Sequence, residues 1–273
     1  MLRIRSPLKG GVAGKLTTAL HQGWPNSELI ANDDLWDDIK EQDIPNAFFG
    51  LGDMNFKKVH TLHNQQKPYI FIDTPYWRRR SSQINDREAL WRICVGSIHA
   101  NKIIQGLDNR RSPGWEYKRW KTDRRSHVLV AESSPTINSF IGESHWEDYA
   151  RKTLKPTRWP LQWRQKPRHG RKSGPEFATI LLQDDFAKAE YVFTSCSIVG
   201  VEAILEGIPV VCHSLSAAAP VSTRTVDKII TPDRTDWFKT LQYHQFTMDE
   251  MSNGSAYYIL KDLYIGKYPE LFS

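Results

Sequence analysis

Cysteine is scarce in this sequence, and its arrangement excludes two common stabilising devices. The 273 residues include three cysteines, Cys94, Cys196 and Cys212. They lie far apart, and no Cys-x-x-Cys pair or Cys/His cluster occurs. A disulfide framework and a structural zinc site are therefore excluded as the basis of the fold. Dispersed thiols suit a reducing compartment, so we expect a cytoplasmic protein.

Long hydrophobic runs are also missing, although 40% of the residues are hydrophobic. No segment approaches the ~18 consecutive apolar residues that a membrane helix needs. The basic amino terminus lacks the apolar segment of a secretory signal. We therefore expect no membrane association, and the composition suits packed cores with a charged surface.

Two motifs for metal and phosphate binding are absent as well. No Asp-x-Asp motif occurs, and the histidines show no ligand spacing, so we expect no metal site. The segment from Gly10 to Thr17 resembles a P-loop, but Lys9 stands where the first glycine is required. A nucleoside triphosphate site of that type is therefore not predicted.

Positive charge is in excess and is clustered near tryptophan. The net charge is +6, the isoelectric point is near 9.1 and there are ten tryptophans. Basic side chains beside aromatic rings suit phosphate contacts combined with base or sugar stacking. The plainer alternative is a set of solvated faces anchored by tryptophan. The candidate nucleic-acid-binding residues are Trp77, Arg78, Arg79, Arg80, Arg110, Arg111, Trp115 and Arg119.

Short apolar runs alternate with helical patterns along most of the chain. This alternation predicts βαβ units and parallel sheets. A polar, basic stretch over 105–125 predicts a long loop at a domain boundary. The stretch 133–142 also predicts a loop, whereas Thr247 and Glu250 have the spacing of a capping box.

The segment 191–213 is the most informative part of the sequence. A predicted strand ends in Thr194-Ser195-Cys196-Ser197, and the following helix carries Glu202. A helix that starts after small hydroxyl residues is suited to bind an anion through its free amides and dipole. The alternative is an ordinary βαβ crossover that has no ligand.

The pattern Ser197-x-x-Gly200-x-Glu202-Ala203-x-x-x-Gly207-x-Pro209 resembles the donor-site motif of GT-B-type glycosyltransferases, especially capsule-polysaccharide enzymes and phage DNA glycosyltransferases. The segment 162–167 resembles the strand of that group whose basic residue faces the donor phosphates, and the resemblance covers about residues 126–263. It implies a nucleotide-diphosphate sugar, with UDP as the expected nucleotide, and no other cofactor. The donor-binding residues that it implies are Arg164, Lys166, Ser195, Ser197, Gly200, Glu202, Ser133 and Ser134.

The resemblance also implies the architecture. We expect an α/β, GT-B-like protein with two Rossmann-like domains facing a central cleft and C-terminal helices crossing back. The expected domains are an acceptor side over 1–120, a donor side over 121–235, and helices over 236–273 that pack on the first domain. The Gly-rich turn at 10–14 suits an acceptor-side loop in such a first domain.

Two aspartates are candidates for the catalytic base. The apolar run at 70–72 delivers Asp73 to the end of a predicted strand, the edge at which open α/β sheets bind ligands. An inverting transferase needs a base there to remove the proton of the acceptor hydroxyl. A simple turn before Pro75 is the equally weighted alternative. Asp53 is the second candidate, with a stronger turn explanation.

Glu132, Ser133 and Ser134 follow the first strand of the predicted second domain. The serines could bind phosphate and the glutamate a substrate. Capping of a following helix is the more favoured role for the serines.

The basic, tryptophan-rich composition favours double-stranded DNA as the acceptor. An enzyme that modifies a base in a duplex must grip phosphates and flip the base out. The resemblance to phage DNA glycosyltransferases then implies hydroxymethylated pyrimidine in phage DNA as the acceptor. We expect a monomeric, metal-independent glycosyltransferase within the host cytoplasm. A capsule-type polysaccharide acceptor and a non-catalytic nucleic-acid-binding protein are the alternatives.

Overall fold

The computed structural model describes residues 1–7, 10–32, 44–77, 84–111, 116–123, 126–164 and 182–273. They form two compact units, one of Met1–Ala100 with Lys239–Ser273 and one of Asn101–Phe238. Asp33 and Asp34 predict the start of a helix that runs through Lys40, because acidic groups favour a helix N-terminus, and this segment lies outside the described residues.

The elements of the described chain are named here in chain order. The strands are β1 (Leu2–Ser6), β2 (Ser27–Ala31), β3 (Asn46–Phe49), β4 (Tyr69–Asp73), β5 (Trp91–Val95), β6 (His127–Ala131), β7 (Leu161–Arg164), β8 (Ala189–Thr194), β9 (Val210–Val211) and β10 (Gln245–Phe246). The helices are α1 (Val12–Gly23), α2 (Asp53–Asn64), α3 (Pro135–Phe140), α4 (Trp146–Leu154), α5 (Leu182–Lys188), α6 (Val199–Leu205), α7 (Thr235–Tyr243), α8 (Met248–Ser252) and α9 (Ser255–Tyr264).

The first unit contains a mixed six-stranded sheet in the order β10-β5-β4-β3-β1-β2. Strands β1 to β4 are parallel, as predicted. The prediction is wrong for β5, which runs antiparallel to both β4 and β10. The described part of the β4–β5 connection holds no helix, and a parallel partner needs a long crossover, usually helical. The chain therefore turns back along β4.

The core of the first unit contains side chains from both the amino-terminal and the carboxyl-terminal parts of the chain. Helix α1 buries Leu16 and Leu20 among the residues of the sheet core. Trp24, just after α1, stacks with Phe272 and meets Tyr257 edge-on. Aromatic pairs of this kind add to the stabilisation from apolar burial. Helices α8 and α9 thus complete the core of this unit.

The second unit has a four-stranded, fully parallel sheet in the order β7-β6-β8-β9. Every residue of β6 is buried, and five of the six residues of β8 are buried, as expected for parallel strands covered on both faces. Phe193 stacks with Trp146 of α4, with ring centroids 5.3 Å apart.

Part of the basic stretch 105–125 packs against the end of α6. The amide of Lys118 donates to the Leu205 carbonyl, and the amide of Lys121 donates to the Gly207 carbonyl, each at 2.8 Å. Gly207 has a φ of +80° and ends the helix region, and an added Cβ would lie 2.0 Å from the Arg119 carbonyl oxygen. Glycine is therefore required there for both conformation and space.

Two local predictions have different outcomes. The capping box is confirmed, because the Thr247 side chain accepts from the Glu250 amide and the Glu250 side chain accepts from the Thr247 amide. The loop predicted for 133–142 is wrong, because α3 lies within it. Pro135 occupies the first turn and Ser134 caps the helix, a combination that favours a helix start.

No helix among the described residues is long and apolar enough to cross a membrane.

Candidate active site

The carboxyl ends of all four strands in the second unit meet at one edge of its sheet. Ser133 follows β6, Arg164 ends β7, Ser195 follows β8 and His213 follows β9. The loops after β8 and β9 are linked at this edge, because the His213 amide donates to the Ser195 carbonyl at 3.0 Å. Ligands of open α/β sheets bind outside this edge.

A buried hydrogen-bond network joins the loops after β6 and β8. Ser195 Oγ lies 2.6 Å from Ser133 Oγ and 2.7 Å from Asn138 Oδ1. The Cys196 amide donates to Ser133 Oγ at 3.1 Å. Both serine hydroxyls have an acceptor if Ser133 donates to Ser195 and Ser195 donates to Asn138. These serines, predicted to bind the donor, are thus engaged inside the unit and hold two strand ends together.

The other two predicted serines make local contacts at helix starts. Ser134 Oγ accepts from the Ile137 amide at 3.3 Å as the cap of α3, the role that the sequence favoured. Ser197 Oγ lies 3.4 Å from the Val199 amide at the start of α6. The amides of Ser197 and Ile198 donate to no described residue, which leaves two donors at the strand-to-helix turn.

Gly200 and Glu202 belong to the first turn of α6. An added Cβ at Gly200 would lie 3.3–3.5 Å from Thr194, Ala218 and Val210 side-chain atoms. The glycine therefore allows the helix to pack closely on β8 and β9, which is a structural role. Glu202 is half-buried in this turn.

Arg164 lies at the end of β7 and pairs with a buried carboxylate. Its guanidinium donates to Asp185, whose side chain is 3% exposed. Gln162 Nε2 donates to the other oxygen of the same carboxylate at 2.5 Å. Asp185 therefore orients Arg164 and neutralises part of its charge. Lys166, the other predicted cation, lies outside the described residues.

A narrow crevice with room for about one water molecule opens beside Ser195. Trp146 lines it, and its indole Nε1 is buried without a hydrogen-bond partner among the described residues. His213 and Arg224 also line it. Burial and the Arg224 charge lower the pKa of His213. The Leu215 amide donates to His213 Nδ1 at 3.2 Å, so this nitrogen is an acceptor and the imidazole is neutral at pH 7.

Sequence reasoning missed this crevice. The one available signal was the position of His213 at the end of the run 208–213, which predicts a strand. Nothing local distinguishes Arg224 or Trp146, because they reach the crevice from separate elements.

In the first unit, Asp73 ends β4 and pairs with an arginine that the sequence analysis did not identify. Arg92 Nη2 donates to Asp73 Oδ2 at 2.9 Å. Asp73 Oδ1 accepts from the Thr74 amide at 2.7 Å. The carboxylate is 28% exposed, whereas the arginine side chain is 2% exposed. The pair therefore presents an oriented anion at the sheet edge with its cation buried behind it.

The antiparallel direction of β5 creates this pair, because it places Arg92 opposite Asp73 in the strand register. The Arg92 guanidinium also lies 5.2 Å from the centre of the Tyr76 ring. Burial raises the pKa of the Cys94 thiol to about 11 and that of the Tyr76 phenol well above its ordinary value. Both neighbours are thus neutral at pH 7, and Arg92 Nε and Nη1 have no hydrogen-bond partner among the described residues.

The second candidate base, Asp53, is the first residue of α2 after the cap residue Gly52. Its side chain lies outside the described part of the structure, so its role stays a prediction.

The predicted nucleic-acid-binding residues have varied environments. Trp77 is half-buried, and its amide lies 3.4 Å from the side-chain oxygen of the buried Gln245. Arg110 and Arg111 are half-buried and Arg119 is exposed. Arg78, Arg79, Arg80 and Trp115 lie outside the described residues. Within the described ranges, no group of three or more His, Cys, Asp or Glu side chains could hold a metal ion.

Comparison with known proteins identifies the fold. No protein-family model and no curated protein sequence matches the chain. Among solved structures, it is similar to the beta Kdo 2,7 transferase of KpsC from Thermosulfurimonas dismutans, with a TM-score of 0.52, 12% identity, and coverage of 94% of this chain and 99% of that chain. It is also similar to the beta Kdo 2,4 transferase of the same KpsC, with a TM-score of 0.50, 12% identity, and coverage of 90% and 92%.

At this identity the similarity shows the fold alone. The predicted fold class, an α/β protein of GT-B-like type, is confirmed.

Proposed function

We propose that this protein is a glycosyltransferase that moves a sugar from a nucleotide-activated donor to a saccharide acceptor. The observation that carries the proposal is the GT-B-like fold, which is similar to a Kdo transferase over 94% of this chain and 99% of that chain. Fold similarity is an argument by analogy. We therefore infer the roles of single residues from the side chains that lie at the two sheet edges.

The edge of the second unit supports the donor role. The free amides of Ser197 and Ile198 and the crevice cation Arg224 suit a phosphate group. The predicted phosphate contacts of Arg164 and Lys166 fit the same role. Negative charge on the departing nucleotide grows in the transition state, and preorganised donors stabilise it. The buried serine network keeps these donors in place.

Asp73 is the proposed base in the first unit. The acceptor oxygen attacks the anomeric carbon of the sugar, its proton moves to Asp73, and the nucleotide leaves with the electrons of the broken C–O bond. The ion pair with Arg92 orients the carboxylate at the sheet edge. Asp53 is the alternative base.

A saccharide is the acceptor we favour over DNA. Two solved structures similar to this chain are named as Kdo transferases, and the sequence pattern resembles capsule-polysaccharide enzymes. Part of the basic stretch is also occupied, because Lys118 pairs with Glu206 at 2.6 Å and Trp120 stacks under Arg234 at 3.8 Å. These side chains are less suited to gripping DNA phosphates than their sequence indicated.

The test is a transfer assay with the full chain. UDP-, GDP- and CMP-activated sugars are each incubated with capsule-type oligosaccharides and with hydroxymethylcytosine-containing DNA, and products are read by mass spectrometry. We expect a sugar mass gain on an oligosaccharide with one donor class. A gain on DNA alone would reinstate the DNA acceptor. Absence of any gain, together with absence of donor binding in a thermal-shift assay, would reject the transferase.

A further inference from the structure

A buried glutamine from the carboxyl-terminal part of the first unit contacts the loop that follows Asp73. The Tyr76 amide donates to Gln245 Oε1 at 2.8 Å, and the Trp77 amide lies 3.4 Å from the same oxygen. Two N–H groups near one atom identify that atom as the amide oxygen. Burial of an amide side chain is unfavourable unless it is hydrogen-bonded, and Gln245 is buried. Its bonds to the loop therefore stabilise both the glutamine and the backbone at 76–77.

Gln245 also lies in one row with the proposed base and its arginine. It is opposite Arg92 in the β10–β5 register, and Arg92 is opposite Asp73 in the β5–β4 register. Side chains that lie directly opposite each other in neighbouring strands share one face of the sheet. The arginine therefore lies between the carboxylate and the amide on a single face.

The ring of Tyr76 covers the arginine of this row. Its centre lies 5.2 Å from the Arg92 guanidinium, and a cation near the face of an aromatic ring is attracted to it. The Tyr76 hydroxyl oxygen accepts from the Ala100 amide at 2.8 Å. Tyr76 is thus held at two points, at its backbone by Gln245 and at its hydroxyl by Ala100.

The position of Tyr76 matters because Arg92 depends on one carboxylate. Among the described residues, Asp73 is the only carboxylate that pairs with Arg92, whose side chain is 2% exposed. Opposite charges attract each other less strongly where water reaches them. A displaced Tyr76 ring would admit water to the guanidinium and weaken its hold on the carboxylate. The orientation of Asp73 therefore depends on the position of Tyr76.

We propose that Gln245 is a positioning residue for the transferase: it holds Tyr76 over Arg92, and the guanidinium held in this way keeps the Asp73 carboxylate oriented at the sheet edge. This inference rests on the proposed function, in which Asp73 is the base. Gln245 acts through the two side chains between them and contacts no substrate in this role.

The test compares Gln245→Met with Tyr264→Phe in the full chain. Methionine fills a similar volume, but its thioether is a weak acceptor, so the two loop amides lose their partner. Tyr264→Phe removes a different hydrogen bond of the same unit, from the Tyr264 hydroxyl to His244 Nε2 at 2.6 Å. It leaves the bonds of Gln245 to the loop in place and serves as the matched control.

The first measurement is hydrogen exchange of the Tyr76 amide and of the Arg92 side-chain Nε–H, followed by nuclear magnetic resonance. In wild type both should exchange slowly. Gln245→Met should raise both rates about tenfold or more, because the loop opens locally, whereas Tyr264→Phe should leave them unchanged. Unprotected Tyr76 and Arg92 signals in wild type would overturn the proposal without any variant, so it stays testable if Gln245→Met does not fold.

The second measurement is steady-state transfer kinetics. Gln245→Met should lower kcat about ten- to a hundredfold, because a small misplacement of a reacting group slows the reaction. The KM for the donor should stay unchanged, because the donor residues belong to the second unit. In an Asp73→Asn background the same substitution should cause little further loss of kcat, because both changes act on one carboxylate.

Unchanged kcat in Gln245→Met, or a full additional loss of kcat in the Asp73→Asn background, would overturn the positioning role. A wild type that transfers no sugar, together with fast exchange at Tyr76 and Arg92 in Gln245→Met, would instead reject the transferase function. That outcome would leave the hold of Gln245 on Tyr76 and Arg92 standing.

Discussion

The two sheet edges of this protein are built on different chemistry. In the first unit, an ionised carboxylate and a buried guanidinium face each other at 2.9 Å, Asp73 with Arg92. In the second unit, neutral hydroxyl and amide groups form the edge, with Ser195 between Ser133 and Asn138. His213 is held neutral beside that edge. One edge presents a carboxylate, and the other presents a neutral frame of hydroxyls and free amides beside the guanidinium of Arg224.

This difference indicates that the two edges have different functions. A fixed carboxylate can accept a proton, but it would repel the phosphates of a nucleotide. A neutral frame with free N–H groups can accommodate those phosphates without a competing anion. The contrast thus fits a base in the first unit and a donor site in the second.

The largest expected effect is a loss of activity when Asp73, at the charged edge of the first unit, is replaced. Asp73→Asn keeps an oxygen that can accept from Arg92 but removes the base, so kcat for sugar transfer should fall about 10²–10⁴-fold. Donor affinity should stay unchanged, because the donor residues belong to the second unit. Steady-state kinetics with the donor and acceptor found in the transfer assay measures this.

Asp53→Asn is the matched comparison for that substitution. We expect a smaller loss from it than from Asp73→Asn. The reverse order would transfer the role of base to Asp53, and full activity in both variants would remove the base from this edge.

An intermediate effect is expected on the neutral edge. Ser133→Ala removes the acceptor of the Cys196 amide and a partner of Ser195. Buried groups left without partners cost about 1–3 kcal/mol each, so the free energy of unfolding should fall by about that amount in urea denaturation followed by circular dichroism.

Ser139→Ala serves as the control, because Ser139 is exposed on the neighbouring helix α3. It should change the free energy of unfolding by less than about 0.5 kcal/mol. Equal effects of the two substitutions would mean that the buried network does not stabilise the edge.

The smallest expected effect concerns pH. The pKa of His213 in the folded protein is lowered from its ordinary 6.5, so the unfolded chain binds this proton more readily. The contribution of His213 to stability is therefore fully present above pH 6.5 and is lost as the pH falls through the folded pKa. The loss amounts to about 1.4 kcal/mol for each tenfold difference in proton affinity between the unfolded and folded chains.

His213→Asn should flatten the fall in unfolding free energy between about pH 7 and pH 5, measured by denaturation at each pH. His63 and His127, whose pKa values are also lowered by burial, are present in both proteins, and their contributions cancel. An unchanged slope would mean that His213 is not held neutral.

Much of the local structure could be predicted because it depends on neighbouring residues. The capping box at Thr247 follows from the fixed spacing between Thr247 and Glu250. The position of Asp73 at a strand end was predictable for the same reason. Its partner was not, because the alternation of strands and helices predicted a parallel β5, and only an antiparallel β5 brings Arg92 opposite it.

The two serines of the second unit show the same limit on what the sequence can predict. Their positions after strands β6 and β8 were predictable, but a hydroxyl at a strand end can meet a ligand or another side chain. Ser133 and Ser195 are 62 residues apart, and their contact exists only after both strands have paired.

The sequence by itself thus determined the α/β class of the fold, much of its element order and the strand ends at which chemistry could occur, because each depends on short-range patterns of hydrophobicity and turn residues. The tertiary structure decided which charges and hydroxyls face each other, as in the pair of Asp73 with Arg92 and the crevice of Trp146, His213 and Arg224. The physical reason is that strand register and helix packing set these non-local contacts, and no local residue pattern specifies them.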